Sequence, residues 1–162
     1  MGVRSMSIET IDDFLAQKRI AMIGVSRDAK SFSADLFRAL LRHGIDVVPV
    51  NPHATKILER RCFARVQDVR PPVTAALLMT SPEGTDEAVA DCAAAGIPRV
   101  WMYRAGGKGA VSEKAIEFCQ SHGITVVPGE CPLMFLKGEH AVHRFHGFVR
   151  KITGSYPKRA RA

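Results

Sequence analysis

Long apolar runs are missing from this sequence of 162 residues. No stretch approaches the roughly 18 consecutive apolar residues that a membrane-spanning helix needs. The first residues, MGVRSMSIETIDDF, are polar before any hydrophobic segment could form, which excludes the pattern of a secretory signal peptide. We therefore expect a soluble, cytoplasmic protein. A chain of this length can bury one substantial core, and we predict a single domain over residues 1–154.

Cysteine is scarce, and its spacing excludes two kinds of site. The four cysteines are Cys62, Cys92, Cys119 and Cys131. No two of them form a CxxC pair, and none has a histidine at zinc-finger spacing. This excludes a disulfide framework and a structural zinc site. We expect reduced cytosolic thiols, with Cys92 and Cys119 as small core residues. Cys131 differs from the others because it follows a predicted strand in a Gly-Glu-Cys-Pro loop.

No strong excess of charge exists outside the C terminus. The net charge is +7, but six Lys or Arg residues follow the last acid, Glu139, and the rest of the chain is close to neutral. We expect residues 155–162 to be a basic, disordered tail rather than a nucleic-acid arm. Before this tail, an apolar stripe predicts a last helix over residues 139–153. Its histidines, His140, His143 and His146, are not expected to bind metal, because no carboxylate or cysteine joins them locally.

Apolar runs of strand length alternate with amphipathic helical patterns. Buried strands are predicted near residues 20–25, 45–50, 73–79, 100–103 and 124–127, and a short helix precedes them over residues 8–15. The alternation predicts an α/β fold: a doubly wound, mostly parallel five-stranded sheet with helices on both faces, which is Rossmann-like. Pro49 has no N–H donor, so the second strand should lie at an edge or be interrupted. Residues 53–72 are expected to form an irregular surface connection.

The first strand leads into a polar loop and then a helix, over RIAMIGVSRDAKSFS at residues 19–33. The loop carries two cations, Arg27 and Lys30. The first N–H groups of a helix have no partner within it, and the helix dipole favours negative charge there, so this arrangement predicts an anion site. The alternative is a structural role, in which Gly24 and Ser26 only shape the turn.

Four loops should meet at one edge of the predicted sheet. In an open parallel sheet the loops after the strands converge at the carboxyl edge, and ligands bind where the strand order reverses. The loops are residues 24–33, Asn51 with Pro52, Thr80 with Ser81 and Pro82, and residues 103–107. They contain donors, cations and small residues. We therefore expect a nucleotide diphosphate as the ligand.

Two features argue against NAD as that ligand. The loop has no further glycine after Gly24, so the G-x-G-x-x-G spacing is absent. Asn51 and Pro52 stand where a dinucleotide site needs an Asp or Glu for the ribose hydroxyls. NADP stays open, because His53 or Lys56 could meet its phosphate.

The motifs GVSRDAKSFS, PVNP, TSP, WMYRAGG and GECP follow one another in this order. Together they resemble the CoA-binding domain family, small stand-alone bacterial Rossmann-type proteins similar to the N-terminal domain of the succinyl-CoA synthetase α subunit. The resemblance covers residues 8–154. It implies a site for coenzyme A or an acyl-CoA. The diphosphate would lie over residues 26–33, the adenosine end near Asn51 and Pro52, and the loops at 80–82 and 103–106 on the other side.

The resemblance also implies which residues contact the cofactor. Cations at the site would form charge-assisted hydrogen bonds with the diphosphate and the 3′-phosphate of CoA. Two positions depart from the family: Ser33 stands where glycine is usual, and Tyr103 with Arg104 stands where glutamine is common. The implied contact residues are Gly24, Val25, Ser26, Arg27, Lys30, Ser31, Phe32, Ser33, Asn51, Pro52, Lys56, Thr80, Ser81, Pro82, Tyr103 and Arg104.

No catalytic residue is assigned. The synthetase uses a phosphorylated histidine from a separate domain that this sequence lacks, and no nucleophile elbow, triad spacing or general base is recognisable. We expect a CoA-binding carrier, sensor or regulatory protein without catalysis of its own. Cys131 is the one candidate for reactivity, through a mixed disulfide with the CoA thiol, against the alternative of a buried structural thiol.

Two rival functions are kept. The first is an NADP-dependent oxidoreductase. The second is a nucleic-acid or protein interaction module that uses the basic tail. A protein partner and a homo-oligomer are both left open.

Overall fold

A computed structural model describes residues 6–136. Over these residues the helices are α1 (Ile8–Leu15), α2 (Phe32–Arg42), α3 (Pro82–Ala94) and α4 (Glu113–Ser121). The strands are β1 (Arg19–Ile23), β2 (Asp46–Val50), β3 (Lys56–Ile57), β4 (Arg60–Arg61), β5 (Ala76–Leu78), β6 (Arg99–Met102) and β7 (Thr125–Pro128). Short 3-10 helices lie at Val66–Asp68 and Pro132–Met134. The predicted last helix with its three histidines and the predicted basic tail lie outside the described residues.

Five of the strands form one parallel sheet in the order β2-β1-β5-β6-β7. Strand β1 lies between β2 and β5: Ala21 pairs with Val48 on one side and with Ala76 on the other. The strand order therefore reverses at β1. All the strands point the same way, so their following loops share one edge, which we call the carboxyl edge. The sheet confirms the predicted doubly wound α/β fold. Strand β2 is an edge strand, as Pro49 predicted.

Helices cover both faces of the sheet because successive strand residues point to opposite sides. Ile20 and Met22 of β1 pack in one apolar cluster with residues of α1 and α2. Ala21, between them, packs in a second cluster with residues of α3 and α4. Trp101 is fully buried in the first cluster, where its Nε1 donates to the carbonyl of Glu130 at 3.2 Å.

Serine side chains cap all four α-helices of the described residues. Ser7, Ser31, Ser81 and Ser112 each accept a hydrogen bond from a backbone N–H three residues later, which satisfies one of the free donors of the first turn. These caps set where each helix starts relative to the preceding strand. In α2 and α3 they therefore also set where the carboxyl-edge loops end.

The segment after β2 is more ordered than predicted. Strands β3 and β4 form an antiparallel hairpin whose turn residues, Leu58 and Glu59, have φ values of 48° and 63°. Phe63 then forms a parallel bridge with Val50, so the chain continues alongside the edge strand. The prediction of an irregular connection over residues 53–72 was wrong for this part. No glycine or asparagine marks the turn, so its usual sequence signal is absent.

Within residues 6–136, no helix has both the length and the apolar character needed to cross a membrane. The same residues contain no group of three or more His, Cys, Asp or Glu side chains that could hold a metal ion. All four cysteines are buried and unpaired.

Candidate functional site

The loops after β1 and β5 touch at the carboxyl edge, where the strand order reverses. Gly24 has φ +85° and donates its N–H to the carbonyl of Val50 at 3.0 Å. A Cβ at this position would lie 3.1 Å from both the carbonyl carbon of Met79 and Cγ2 of Thr80. Only glycine fits this conformation and this spacing without strain. The two loops therefore start side by side at the point where doubly wound folds bind their ligands, and we call the region between the carboxyl-edge loops the cleft.

The loop between β1 and α2 is held together by its own side chains. The N–H of Ser26 donates to Oγ of Ser33 at 2.9 Å, and the N–H of Asp28 donates to Oγ of Ser26 at 3.0 Å. The N–H of Lys30 donates to Oδ1 of Asp28 at 2.9 Å. Ser31 caps α2 and lies 3.1 Å from Oγ of Ser33. The serine side chains that the sequence placed in the site thus shape its floor.

Several donors on this loop have no partner among the described residues. The backbone N–H groups of Arg27, Phe32 and Ser33 form no hydrogen bond there, and Phe32 and Ser33 open helix α2. The side chains of Arg27 and Lys30 are exposed and form no ion pair within the same part of the chain. Unpaired N–H groups, a helix N-terminus and two cations in one loop form a surface that attracts an anion.

Asn51 ties the end of β2 to the first loop. Its Nδ2 donates to the carbonyl of Val25 at 3.0 Å, its Oδ1 accepts from the N–H of His53 at 2.8 Å, and its own N–H donates to Phe63 at 2.9 Å. Val25 itself is fully buried. The amide of Asn51 therefore holds the two loops at a fixed distance, while Pro52 beside it is exposed.

Lys56 lies in strand β3, where its Nζ pairs with a carboxylate oxygen of Glu59 at 2.6 Å. Both side chains are largely exposed. His53 is also exposed. The ammonium predicted to meet a phosphate of CoA or NADP therefore lies at the exposed surface of the hairpin, in a weak ion pair.

The opposite side of the cleft comes from the loops after β5 and β6. Ser81 caps helix α3 by accepting from the N–H of Gly84 at 3.2 Å, and Pro82 occupies the first turn. The hydroxyls of Thr80 and Thr85 lie 2.7 Å apart, and Thr85 also bonds to the carbonyl of Ala110 at 2.7 Å. Sequence reasoning missed Thr85 and Ala110, because no motif marks a hydrogen bond between two loops.

An aromatic pair joins the first loop to the loop after β6. The rings of Phe32 and Tyr103 lie 5.4 Å apart, at an interplanar angle of 37°. Phe32 is 41% exposed, and no other large apolar residue of the described chain is classed as exposed. Burial raises the pKa of Tyr103 to about 12, and the neighbouring Cys131 contributes to the rise. Tyr103 is therefore a neutral phenol at physiological pH.

The last loop, after β7, packs beneath Arg104. The N–H of Arg104 donates to the carbonyl of Glu130 at 3.1 Å, and its guanidinium lies over Gly129. Cys131 is 1% exposed. Burial raises the pKa of its thiol to about 11, although backbone hydrogen bonds from Leu133 and Met134 act in the opposite direction. At neutral pH Cys131 therefore stays a thiol, which is a poor nucleophile.

Comparison with known proteins identifies relatives of this chain. The family model described as the CoA binding domain matches residues 18–137, which include every strand and all the loops of the cleft. The chain is also similar to an ADP-forming acetate–CoA ligase of Archaeoglobus fulgidus, at 30% identity over 128 residues. This alignment covers 74% of the chain but only 19% of the ligase, so the chain spans about a fifth of its relative.

Solved structures of the same fold are found in archaea. A hypothetical protein of Pyrococcus horikoshii is 26% identical, with a TM-score of 0.73 over 82% of this chain and 93% of that one. The dinucleotide-forming acetyl-coenzyme A synthetase 1 of Ca. Korarchaeum cryptofilum is 27% identical, with a TM-score of 0.57 over 68% of this chain and 25% of that one. The family model spans most of the sequence, and the chain therefore belongs to the CoA binding domain family.

Proposed function

We propose that this protein binds coenzyme A or an acyl-CoA in the cleft at the carboxyl edge of the sheet. The observation that carries the proposal is the set of unpaired donors in the loop between β1 and α2. The N–H groups of Arg27, Phe32 and Ser33 and the side chains of Arg27 and Lys30 have no partner among the described residues. A diphosphate laid over residues 26–33 satisfies these donors, and charge-assisted hydrogen bonds are the stronger kind.

The other parts of the ligand follow from the position of the diphosphate. The adenosine end lies near Asn51 and Pro52, at the end of β2. Because the amide of Asn51 is already bonded to Val25 and His53, this end is recognised by the exposed surface of Pro52 and by backbone groups. Thr80, Ser81 and Pro82 line the facing side of the cleft.

The pantetheine arm and any acyl group are proposed to lie against the aromatic pair of Phe32 and Tyr103. Phe32 exposes apolar surface beside Tyr103, between the diphosphate loop and the loop after β6. Burying such surface under an apolar group of the ligand is favourable, at about 25 cal/mol per Å². An acyl-CoA can cover more of this surface than free CoA.

We assign no catalytic step to the chain. The proposed role is that of a cytoplasmic carrier, sensor or regulatory partner that responds to CoA. The acetate–CoA ligase relative is matched over only 19% of its length, so its ligase activity is not transferred. The exposed ion pair of Lys56 with Glu59 bears equally on CoA and on NADP, because Lys56 is a candidate phosphate ligand for both.

Calorimetric titration tests the proposal. Purified protein is titrated with CoA and acetyl-CoA, and with NADPH and ATP in parallel. We expect binding of CoA with a dissociation constant of about 1 μM, which corresponds to roughly 8 kcal/mol. The double variant Arg27→Ala/Lys30→Ala should bind CoA at least about tenfold more weakly, because two charge-assisted contacts are lost.

A matched variant controls for the loss of charge. Arg38→Ala/Lys114→Ala removes the same net charge from exposed positions on α2 and α4, away from the cleft loops. It should leave the affinity for CoA nearly unchanged. Binding of NADPH without binding of CoA would overturn the proposal and favour an oxidoreductase. An equal loss of affinity in both double variants would show that Arg27 and Lys30 do not contact the ligand.

A further inference from the structure

Thr85 is an unusual residue within the described chain. Only three polar or charged residues of residues 6–136 are classed as buried, and Thr85 is the one with no exposed surface at all. Its hydroxyl is surrounded by three oxygen atoms: Oγ1 of Thr80 at 2.7 Å, the carbonyl of Ser81 at 3.1 Å and the carbonyl of Ala110 at 2.7 Å. A buried hydroxyl with this many partners is costly to replace, because its partners lose their hydrogen bonds with it.

The number of protons fixes the direction of these hydrogen bonds. A threonine hydroxyl has one proton to donate, and a carbonyl oxygen can only accept. The carbonyl of Ala110 is nearer than that of Ser81, so Thr85 donates to Ala110. The hydroxyl of Thr80 must then donate to Thr85. The result is a relay in which Thr80 donates to Thr85 and Thr85 donates to Ala110.

This relay joins the loop after β5 to the loop after β6, and Thr80 also contacts Gly24 at the end of strand β1. Thr80 belongs to the loop after β5, and its Cγ2 lies against Gly24. Ala110 follows the glycines of the loop after β6, and its N–H donates to the carbonyl of Tyr103 at 2.7 Å. Between Tyr103 and Ala110 the chain contains Gly106, Gly107 and Gly109, which hold a loop conformation weakly on their own.

We propose that Thr85 is a positioning residue for the ligand site: it fixes the loop after β6 to Thr80, and it determines the hydrogen-bonding character of Thr80. This inference rests on the proposed CoA site. The hydroxyl proton of Thr80 is used in the hydrogen bond to Thr85, so the Thr80 hydroxyl can act only as an acceptor toward a ligand. It accepts from an N–H or O–H of the ligand and does not bind a phosphate oxygen. Thr80 therefore adds no donor for a phosphate, and the donors that we propose for the phosphates are those of the opposite loop, at residues 26–33.

Two substitutions at Thr85 test the inference. Thr85→Val keeps the shape and removes the hydroxyl, and we expect CoA to bind about tenfold more weakly. Thr85→Ser keeps the hydroxyl and should restore most of the affinity. Val89→Ala serves as the control, because Val89 lies one turn along α3, is 1% exposed and has no part in the relay. Equal affinities for Thr85→Val and Thr85→Ser would overturn the inference, as would an equal loss in Val89→Ala.

Amide hydrogen exchange in the absence of ligand separates this inference from the proposed function. If Thr85 holds the loop, the N–H of Ala110 should exchange at least about tenfold faster in Thr85→Val than in the wild-type protein and in Thr85→Ser. Val89→Ala should not show this local change. If the wild-type protein binds no CoA but the exchange pattern is as expected, the proposed function fails and the link between the loops stands. Unchanged exchange at Ala110 would refute the link itself.

Discussion

Replacement of Gly24 by alanine tests the close contact on which the cleft is built. The backbone of Gly24 has φ +85°, and an alanine Cβ there would lie 3.1 Å from the carbonyl carbon of Met79 and 3.2 Å from its oxygen. These atoms belong to the backbone beside strand β5 and cannot rotate away. Cγ2 of Thr80, also at 3.1 Å, is held because the hydroxyl of Thr80 is bonded to Thr85.

Two costs add at this position. A left-handed conformation costs an alanine about 1–2 kcal/mol relative to glycine. Overpacking against a fixed surface costs about 1–3 kcal/mol more. We therefore expect Gly24→Ala to lower the free energy of unfolding by about 2–5 kcal/mol, which is a large part of the stability of a typical domain.

Gly44 provides a matched control. It has φ +80°, but a Cβ there would meet no atom within 4 Å. Gly44→Ala should therefore lose only the conformational part, about 1–2 kcal/mol. Both variants change the entropy of the unfolded chain in the same way, so this effect cancels in the comparison. Urea unfolding curves of the two variants measure the difference. Equal midpoints and slopes would refute the close contact between Gly24 and the loop after β5.

Three further predictions follow from the described residues. Burial by itself raises the pKa of Asp46, but hydrogen bonds and positive charges from Arg19 and Arg60 outweigh it and hold this pKa below the ordinary value of 3.8. Because the folded-state pKa is lowered, ionised Asp46 stabilises the fold at pH values above the unfolded pKa of 3.8. Asp46→Asn should therefore lower the free energy of unfolding at pH 7, and this loss should shrink as the pH falls below 3.8. An equal loss at pH 7 and at pH 3, measured by urea titration, would contradict the prediction. Burial raises the pKa of Cys131 to about 11, so oxidised CoA should leave Cys131 unmodified in the folded protein and should react with it once urea exposes the thiol. An adduct on the folded protein, detected by mass spectrometry of the intact chain, would disprove this. Glu59 has φ 63° in the β3–β4 turn, a left-handed conformation that glycine adopts more easily than glutamate. Glu59→Gly should therefore raise the free energy of unfolding by about 0.5–1 kcal/mol, although an exposed ion pair is lost. A lower thermal midpoint of this variant would contradict the turn conformation.

Hydrophobic patterning was sufficient to predict the sheet and its helices. Strands β1 and β5 are apolar on both faces, which is typical of a sheet covered on both sides, and each is followed by a helical pattern that begins at a serine cap. Pro49 predicted an edge position for β2, and the sheet confirms it. The loops were predicted to share one edge because parallel strands allow no other arrangement. These features depend on local sequence and on general rules of chain connection.

Contacts between distant residues were beyond the reach of the sequence. The predicted third strand covered residues 73–79, whereas β5 covers only Ala76–Leu78, because pairing with β1 and β6 decides where a strand ends. Lys56, a candidate phosphate ligand, lies in strand β3 with its Nζ 2.6 Å from a carboxylate oxygen of Glu59, and no local pattern predicted this pairing. The hairpin turn has no glycine, and Leu58, one of its two left-handed residues, packs against the first apolar cluster, a tertiary contact that local preference does not predict.

The sequence by itself determined the fold class, the family, and the loop whose donors can meet an anion, because strand and helix periodicity, serine caps and the order of motifs are all properties of neighbouring residues. Only the tertiary structure decided which polar groups of the cleft remain available. The serines of the first loop and the amide of Asn51 are used to hold loops, and Thr85 connects two segments 25 residues apart. A hydrogen bond has one donor and one acceptor, so whether a side chain can bind a ligand depends on which partners the folded chain has already brought to it.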